Sequence, residues 1–279
     1  LKVLVIPDVH GNERVLENAK KVYGEGRADK VIFLGDYCDS HDTFNTWSDQ
    51  KRELEKIMEW KHAVNLVNPH TVDTLFGNHD LSYMGNYGGR SCSQYQHFSA
   101  KDIQDTLTNM FEEFEPFVII DKWLFSHAGV TQEWLNDPMH ASVFFPELTN
   151  SNLDKIKEIF HNHNLTVFNF NGDDPYGDDS YETCMWIRPP SLIRFGIAGY
   201  NQCVGHTALD ENMMEYWNLE SRIVKAKDWW DNKKFYKYQY EEGNEPDNLD
   251  CMYVFLDSPE QEYYAIIDTE TNDVKIINY

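Results

Sequence analysis

Three short apolar runs, at residues 3–6, 30–34 and 72–76, constrain this chain most. The first two are near-continuous, as in a strand covered on both faces, and the third, interrupted by Asp73 and Thr74, reads as a strand of the same kind. Helical patterns lie between them. Val15, Leu16, Ala19 and Val22 form one apolar stripe, with Asn12 placed to cap it and Gly24 and Gly26 to end it. Leu54, Ile57, Met58, Ala63 and Leu66 form another, within a charged helix expected over 48–67 and stopped by Pro69. Strand, helix, strand in that order specifies a parallel sheet with helices packed on it.

Further on, a helix is expected over 100–114, then paired strands at 117–120 and 123–125 across the turn Asp121-Lys122. Residues 131–163 read as mostly helical, and 164–183 as a loop rich in Asp and Gly. The last third carries short runs at 221–225, 235–240, 252–256, 263–267 and 274–277, expected to be antiparallel strands, with an acidic loop over 241–250. The length of 279 residues suits one α/β domain over 1–279, closed by antiparallel strands in 219–279.

Five polar clusters each follow an apolar run. They are Asp8-Val9-His10-Gly11, Gly35-Asp36-Tyr37-Cys38-Asp39, Gly77-Asn78-His79-Asp80, His127-Ala128-Gly129 and Gly205-His206-Thr207. In open α/β sheets, ligands bind beyond the carboxyl ends of the strands. Carboxylate oxygens and imidazole nitrogens together suit divalent metals. Asp8, His10, Asp36, Asn78, His127 and His206 are candidate ligands. They are too many for one tetrahedral ion, and fit two metals sharing a carboxylate.

This ordered set resembles the calcineurin-like metallophosphoesterase superfamily. It is most similar to the branch holding the Ser/Thr protein phosphatases, their phage and bacterial relatives, and the symmetrical diadenosine tetraphosphatases. The resemblance runs through residues 2–207 and implies a four-layer α-β-β-α sandwich of two mixed sheets. It makes Asp8, His10 and Asp36 ligands of a first metal, and Asp36, Asn78, His127 and His206 ligands of a second. It also makes His79 the general acid, with Asp39 holding its imidazole in the needed tautomer. Met185-Trp186-Ile187-Arg188 resembles the Trp-x-Arg segment of the phage and bacterial members, so Arg188 is expected to bind the substrate phosphate. Asn78 is expected near substrate as well. Arg90 is a further substrate candidate, alongside a plain solvated arginine. The implied cofactors are two divalent ions, manganese first, with iron, zinc, nickel or magnesium as alternatives.

Two positions depart from superfamily patterns. Ser40 and His41 stand where the protein phosphatases usually carry Arg and Gly, so one expected phosphate-binding Arg is absent. His41 reads as a loop histidine or a partial substitute for it. Many distant members have a second histidine where this chain has Ala208, as in the phosphatase branch.

The implied activity is hydrolysis of phosphomonoesters by a hydroxide bridging the two ions. The alternatives are a diadenosine polyphosphate or other nucleotide hydrolase, and a silent binding module on the same scaffold. The partner is then a phosphorylated substrate, either phosphoprotein or nucleotide. A net charge of -23 disfavours free nucleic acid. No apolar run reaches the roughly 18 residues of a membrane span, and no secretory signal is expected. Five cysteines without a C-x-x-C pair point to a reducing, cytoplasmic setting.

Overall fold

Leu4 and Ile6 face one way from the first strand, and Val3 and Val5 the other; all four are fully buried. That two-sided burial sets the architecture. The computed structural model describes residues 1–42, 44–85, 92–136, 153–171, 173–208, 236–239, 251–256 and 263–278. Among these, β1 (Lys2–Ile6), β2 (Lys30–Phe33) and β3 (Val72–Leu75) pair in parallel, with Val3 opposite Lys30 and Val31 opposite Val72. Helices α1 (Arg14–Gly24) and α2 (Trp47–Val67) make the two crossovers. At the start of α1 the Asn12 carboxamide oxygen accepts the Arg14 N–H at 3.0 Å. The carboxylate of Asp49 caps α2, accepting from the backbone and hydroxyl of Thr46.

Two features differ from expectation. The helix expected over 100–114 ends early: α4 (Ala100–Asn109) follows the short α3 (Asn78–Leu81), and a 3-10 turn, Phe111–Glu113, leads into strand β4 (Phe114–Glu115). That strand lies parallel to β3. Phe76 draws the chain onto the sheet edge, with its ring 5.7 Å from Phe111 and 5.2 Å from Phe114. The closing strands, moreover, are not purely antiparallel. β10 (Tyr263–Asp268) is antiparallel to β1, and β11 (Asp273–Asn278) to β10. In the second sheet, β5 (Phe117–Ile120) and β6 (Trp123–Ser126) form a hairpin, and β7 (Asn201–Val204) joins parallel to β6. There β9 (Met252–Phe255) is antiparallel to β8 (Tyr236–Gln239) but parallel to β7. Apolar runs of four residues report burial and not direction, so the pattern could not separate the two pairings.

The described strands therefore form two mixed sheets, ordered β11-β10-β1-β2-β3-β4 and β5-β6-β7-β9-β8. Val3, Val5, Ile32 and Leu34 pack against Trp123, Phe125, Cys203 and Val254 between the sheets. The opposite face of the first sheet, Leu4, Ile6, Val31 and Phe33, meets the apolar stripes of α1, α2 and α6 (Leu153–His161), which follows α5 (Gln132–Leu135). Leu192 and Ile193 of α7 (Pro189–Phe195) cover Val204, Tyr253 and Phe255 on the outer face of the second. The result is a layered helix-sheet-sheet-helix sandwich. The expected strand at 221–225, the acidic loop over 241–250, the stretch 137–152 and Arg90 lie outside the described residues. No described helix is long and apolar enough to cross a membrane.

Candidate metal centre and catalytic dyad

The five polar clusters leave the carboxyl ends of β1, β2, β3, β6 and β7, and the sandwich brings those ends together. Asp8, His10, Asp36, Asp39, Asn78, His79 and His127 are all buried; His206 is partly buried. Four of these eight hold left-handed backbone angles: His10 (φ 43°), Asp36 (φ 53°), Asp39 (φ 64°) and His206 (φ 63°). Residues with a Cβ seldom adopt that region, and clusters of them mark functional sites.

Asp36 stands at the middle. Its donor atoms lie within 4.8 Å of those of His10 and His79 on one side, and of Asp8 and His127 on the other. Asp36 Oδ2 is 3.8 Å from His10 Nε2 and 3.4 Å from His127 Nε2. The hydrogen-bond network fixes which ring nitrogens carry protons. His10 Nδ1 lies 2.9 Å from the Cys38 carbonyl, and His127 Nδ1 3.0 Å from the Leu34 carbonyl. A carbonyl only accepts, so each Nδ1 is the donor and each Nε2 keeps its lone pair. In His206 the arrangement is reversed: Nε2 donates to the Trp186 carbonyl at 3.1 Å, leaving the Nδ1 lone pair. These three lone pairs face oxygen acceptors. His127 Nε2 is 2.7 Å from Asn78 Oδ1, and His206 Nδ1 is 2.9 Å from the same oxygen. The Asn78 amide nitrogen donates instead to Cys92 Sγ at 3.2 Å, which aims Oδ1 at the imidazoles.

Protonation does not relieve this crowd of acceptors. Burial holds His127 far down, at about 3, and holds His10 and His206 well below the usual histidine range. Electrostatic interaction with His79 for His10, and with the Arg188 guanidinium for His206, pushes the same way. Neutral imidazoles with second nitrogens pinned by carbonyls are the form that ligates metals. The donor set fits divalent cations, which would supply the positive charge that Asp8, Asp36 and the lone pairs face.

Beside this centre lies a dyad. His79 Nδ1 is 2.9 Å from Asp39 Oδ2, and the His79 backbone N–H donates to Asp36 Oδ1 at 2.9 Å. The rings of His79 and His10 meet edge to face at 4.9 Å.

A family model for calcineurin-like phosphoesterases matches residues 1–208. The chain belongs to that family. It is a metal-dependent phosphoric ester hydrolase. No curated protein matches it. Its fold is similar to that of the cold-active protein-tyrosine phosphatase of a psychrophilic Shewanella species, with a TM-score of 0.51 and 12% identity over 99% of this chain and 80% of that one. A protein serine/threonine phosphatase from Saccharomyces cerevisiae aligns at a TM-score of 0.48 and 14% identity, over 100% of this chain and 80% of that one. A metallophosphoesterase from Sphaerobacter thermophilus aligns at 0.42 and 15%, over 100% and 88%.

In this calcineurin-like phosphoesterase, two glycines make room for the carboxylates. A Cβ on Gly77 would lie 2.1 Å from Asp36 Oδ1, and one on Gly205 would lie 2.1 Å from Asp8 Oδ1. The Gly205 loop then lets the His206 backbone N–H donate to both Asp8 oxygens, at 3.0 and 3.1 Å. Arg188 sits beside the His127 and His206 end. Its guanidinium donates to the Tyr176 carbonyl at 2.8 Å, Thr207 Oγ1 at 3.0 Å and the His206 carbonyl at 3.3 Å. His41 lies on the opposite rim, its ring 4.7 Å from that of His10. A cleft of about 450 Å³ opens there, lined among others by His10, Asn12, Arg14, His41 and Phe44.

Residues not singled out from the sequence also build the site. Asp80 accepts backbone N–H groups from Tyr37, Cys38 and Gly77, at 2.9, 3.3 and 3.1 Å, and so ties the β2 loop to the β3 loop. Burial pushes its carboxyl up. Its position in the first turn of a helix was the available signal. Tyr83, Gln96 and Gln50 converge on Asp39. They come from segments far apart in the chain, and no motif marks them.

Proposed function

We propose that this phosphoesterase hydrolyses phosphomonoesters of the serine/threonine phosphatase type at a centre of two divalent cations, manganese first among them. The observation that carries the reading is the central place of Asp36 in both donor groups. By the family pattern Asp8, His10 and Asp36 would hold one ion, although Asp8 stands in the donor group of His127; Asp36, Asn78, His127 and His206 would hold the other. Bound there, the ions supply Lewis acidity to the phosphoryl oxygens and to the attacking water.

The chain's own residues do the rest. Arg188 is braced by three acceptors, which orients its planar fork toward phosphate near His206. Asn78, whose Oδ1 faces His127 and His206, would contact the substrate as well as a metal. His79 donates a proton to the leaving oxygen; Asp39, on Nδ1, keeps its other nitrogen turned toward the His10 and Asp36 group. His79 is thus assigned to proton transfer although it stands among possible ligands.

The reading is tested by phosphate release from phosphoserine and phosphothreonine peptides, p-nitrophenyl phosphate and diadenosine tetraphosphate, with manganese-loaded enzyme. Chelator-sensitive hydrolysis of the peptides is expected. Cleavage of the dinucleotide alone would make the protein a nucleotide hydrolase. No turnover with manganese, nickel, zinc or magnesium would make it a silent binding module.

A further inference from the structure

Asp39 is fully buried, and each of its carboxylate oxygens has a distinct job. Oδ2 takes the Nδ1 proton of His79. Oδ1 accepts the hydroxyl proton of Tyr83 in a short hydrogen bond, and a second bond from Gln96 Nε2 at 3.2 Å. The Asp39 backbone N–H donates to Gln50 Oε1 at 3.0 Å, and the same oxygen accepts from Gln96 Nε2 at 3.0 Å. Tyr83 is itself fixed. Its oxygen accepts the Gln96 backbone N–H at 2.7 Å, and its ring stacks on Tyr95 with centroids 4.3 Å apart. Only 2% of Tyr83 is exposed.

We propose that Tyr83 is a positioning residue for catalysis: by holding Asp39 Oδ1 it locks the carboxylate plane that aims the His79 imidazole at the leaving group. A carboxylate rotates about its last torsion in a broad, roughly two-fold well. With one oxygen bound to His79 and the other held only by the longer bond from Gln96, rotation would tilt the imidazole. Water cannot replace the missing donor, because Asp39 is sealed from solvent. Burial and the bond to Asp39 push the Tyr83 phenol up, so it remains a donor across the working pH range. The hydrogen bonds of its hydroxyl run to Asp39 and Gln96, so its influence passes through Asp39 and His79. Asp39 also has a left-handed backbone (φ 64°), with its N–H bonded to Gln50.

This inference rests on the reading of His79 as the proton donor to the leaving oxygen. Both are tested together by measuring kcat across phosphomonoesters graded in leaving-group basicity, from dinitrophenyl phosphate to an alkyl phosphate, for wild type, His79→Asn, Tyr83→Phe and Gln96→Leu. A basic leaving group needs the proton most. Tyr83→Phe keeps the ring and its stack on Tyr95. Its loss is expected to grow along the series, ending about tenfold larger for the alkyl ester than for the dinitrophenyl ester. Gln96→Leu should show the same trend more weakly, and His79→Asn more steeply. A uniform loss for both Tyr83→Phe and Gln96→Leu, or none, while His79→Asn keeps its steep trend, would overturn the Tyr83 proposal and leave His79 in place. A flat series for His79→Asn would overturn both. Metal content of each variant, measured alongside, identifies any loss that comes from the ions instead.

Discussion

Nε2 of His127 lies 2.7 Å from Oδ1 of Asn78, and neither atom brings a hydrogen to the contact. The other nitrogen of His127 donates to Leu34, and the amide of Asn78 donates to Cys92. Two lone pairs thus face each other in a buried site, with Asp36 Oδ2 at 3.4 Å from the same nitrogen. His127 and Asn78 would together hold a cation, whose charge would offset this repulsion.

Metal removal should therefore cost stability. Ligand present at about 100 times its dissociation constant adds roughly 2.7 kcal/mol. Chelation is expected to lower the melting temperature by several degrees, and added manganese to restore it. Unchanged melting temperatures in excess chelator and in excess manganese would contradict the assigned tautomers.

Gly205→Ala should act on the ions without replacing any proposed ligand. The new Cβ would strike Asp8 Oδ1 and displace the carboxylate. Displacing such a support costs about 10- to 100-fold in metal affinity. Equilibrium dialysis gives the result; wild-type affinity would show that Asp8 takes no part in binding.

The metal-free protein should be acid-sensitive. The folded-state value of His127 lies below the unfolded value of 6.5, so between about 3 and 6.5 the unfolded chain binds the extra proton. Its contribution is complete above 6.5 and shrinks as pH falls through that window. The loss is roughly 1.4 kcal/mol per pH unit for this fully buried group. His10 and His206, also held low, act in the same direction. Urea unfolding in chelator near pH 7.5 and near pH 5.5 is the check; equal stability at both values would refute buried neutral histidines.

Asp39→Asn should separate proton transfer from metal binding. Asparagine keeps the shape but offers His79 Nδ1 a weaker acceptor, or an amide donor. Turnover of an alkyl phosphate is expected to fall about a hundredfold, within the range of general acid catalysis, with both ions retained. Loss of metal in parallel with activity would instead assign Asp39 to the centre.

The framework was legible in the sequence because its physics is local. A strand buried on both faces is an apolar run, and the polar residues that end it stand next to it in the chain; that is how Asp8, Asp36, Asn78, His127 and His206 could be picked out as candidate ligands. What was missed depends on distant partners. Phe114 leaves its helical pattern because Phe76 waits on the sheet edge. The direction of β9 is set by β7, about 50 residues earlier. Tyr83 and Gln96 look like ordinary loop residues until folding places them on Asp39, 44 and 57 positions away. Even the α7 helix, begun by Pro189 and Pro190, carried a local start signal that its short length obscured.

Asp36 is proposed to join two metal sites in one centre. Manganese stoichiometry after reconstitution, in wild type and in Asp36→Asn, measures it most directly. Two ions per chain are expected in wild type, with loss of binding at both sites in the variant. One ion in wild type, or two retained in the variant, would contradict it.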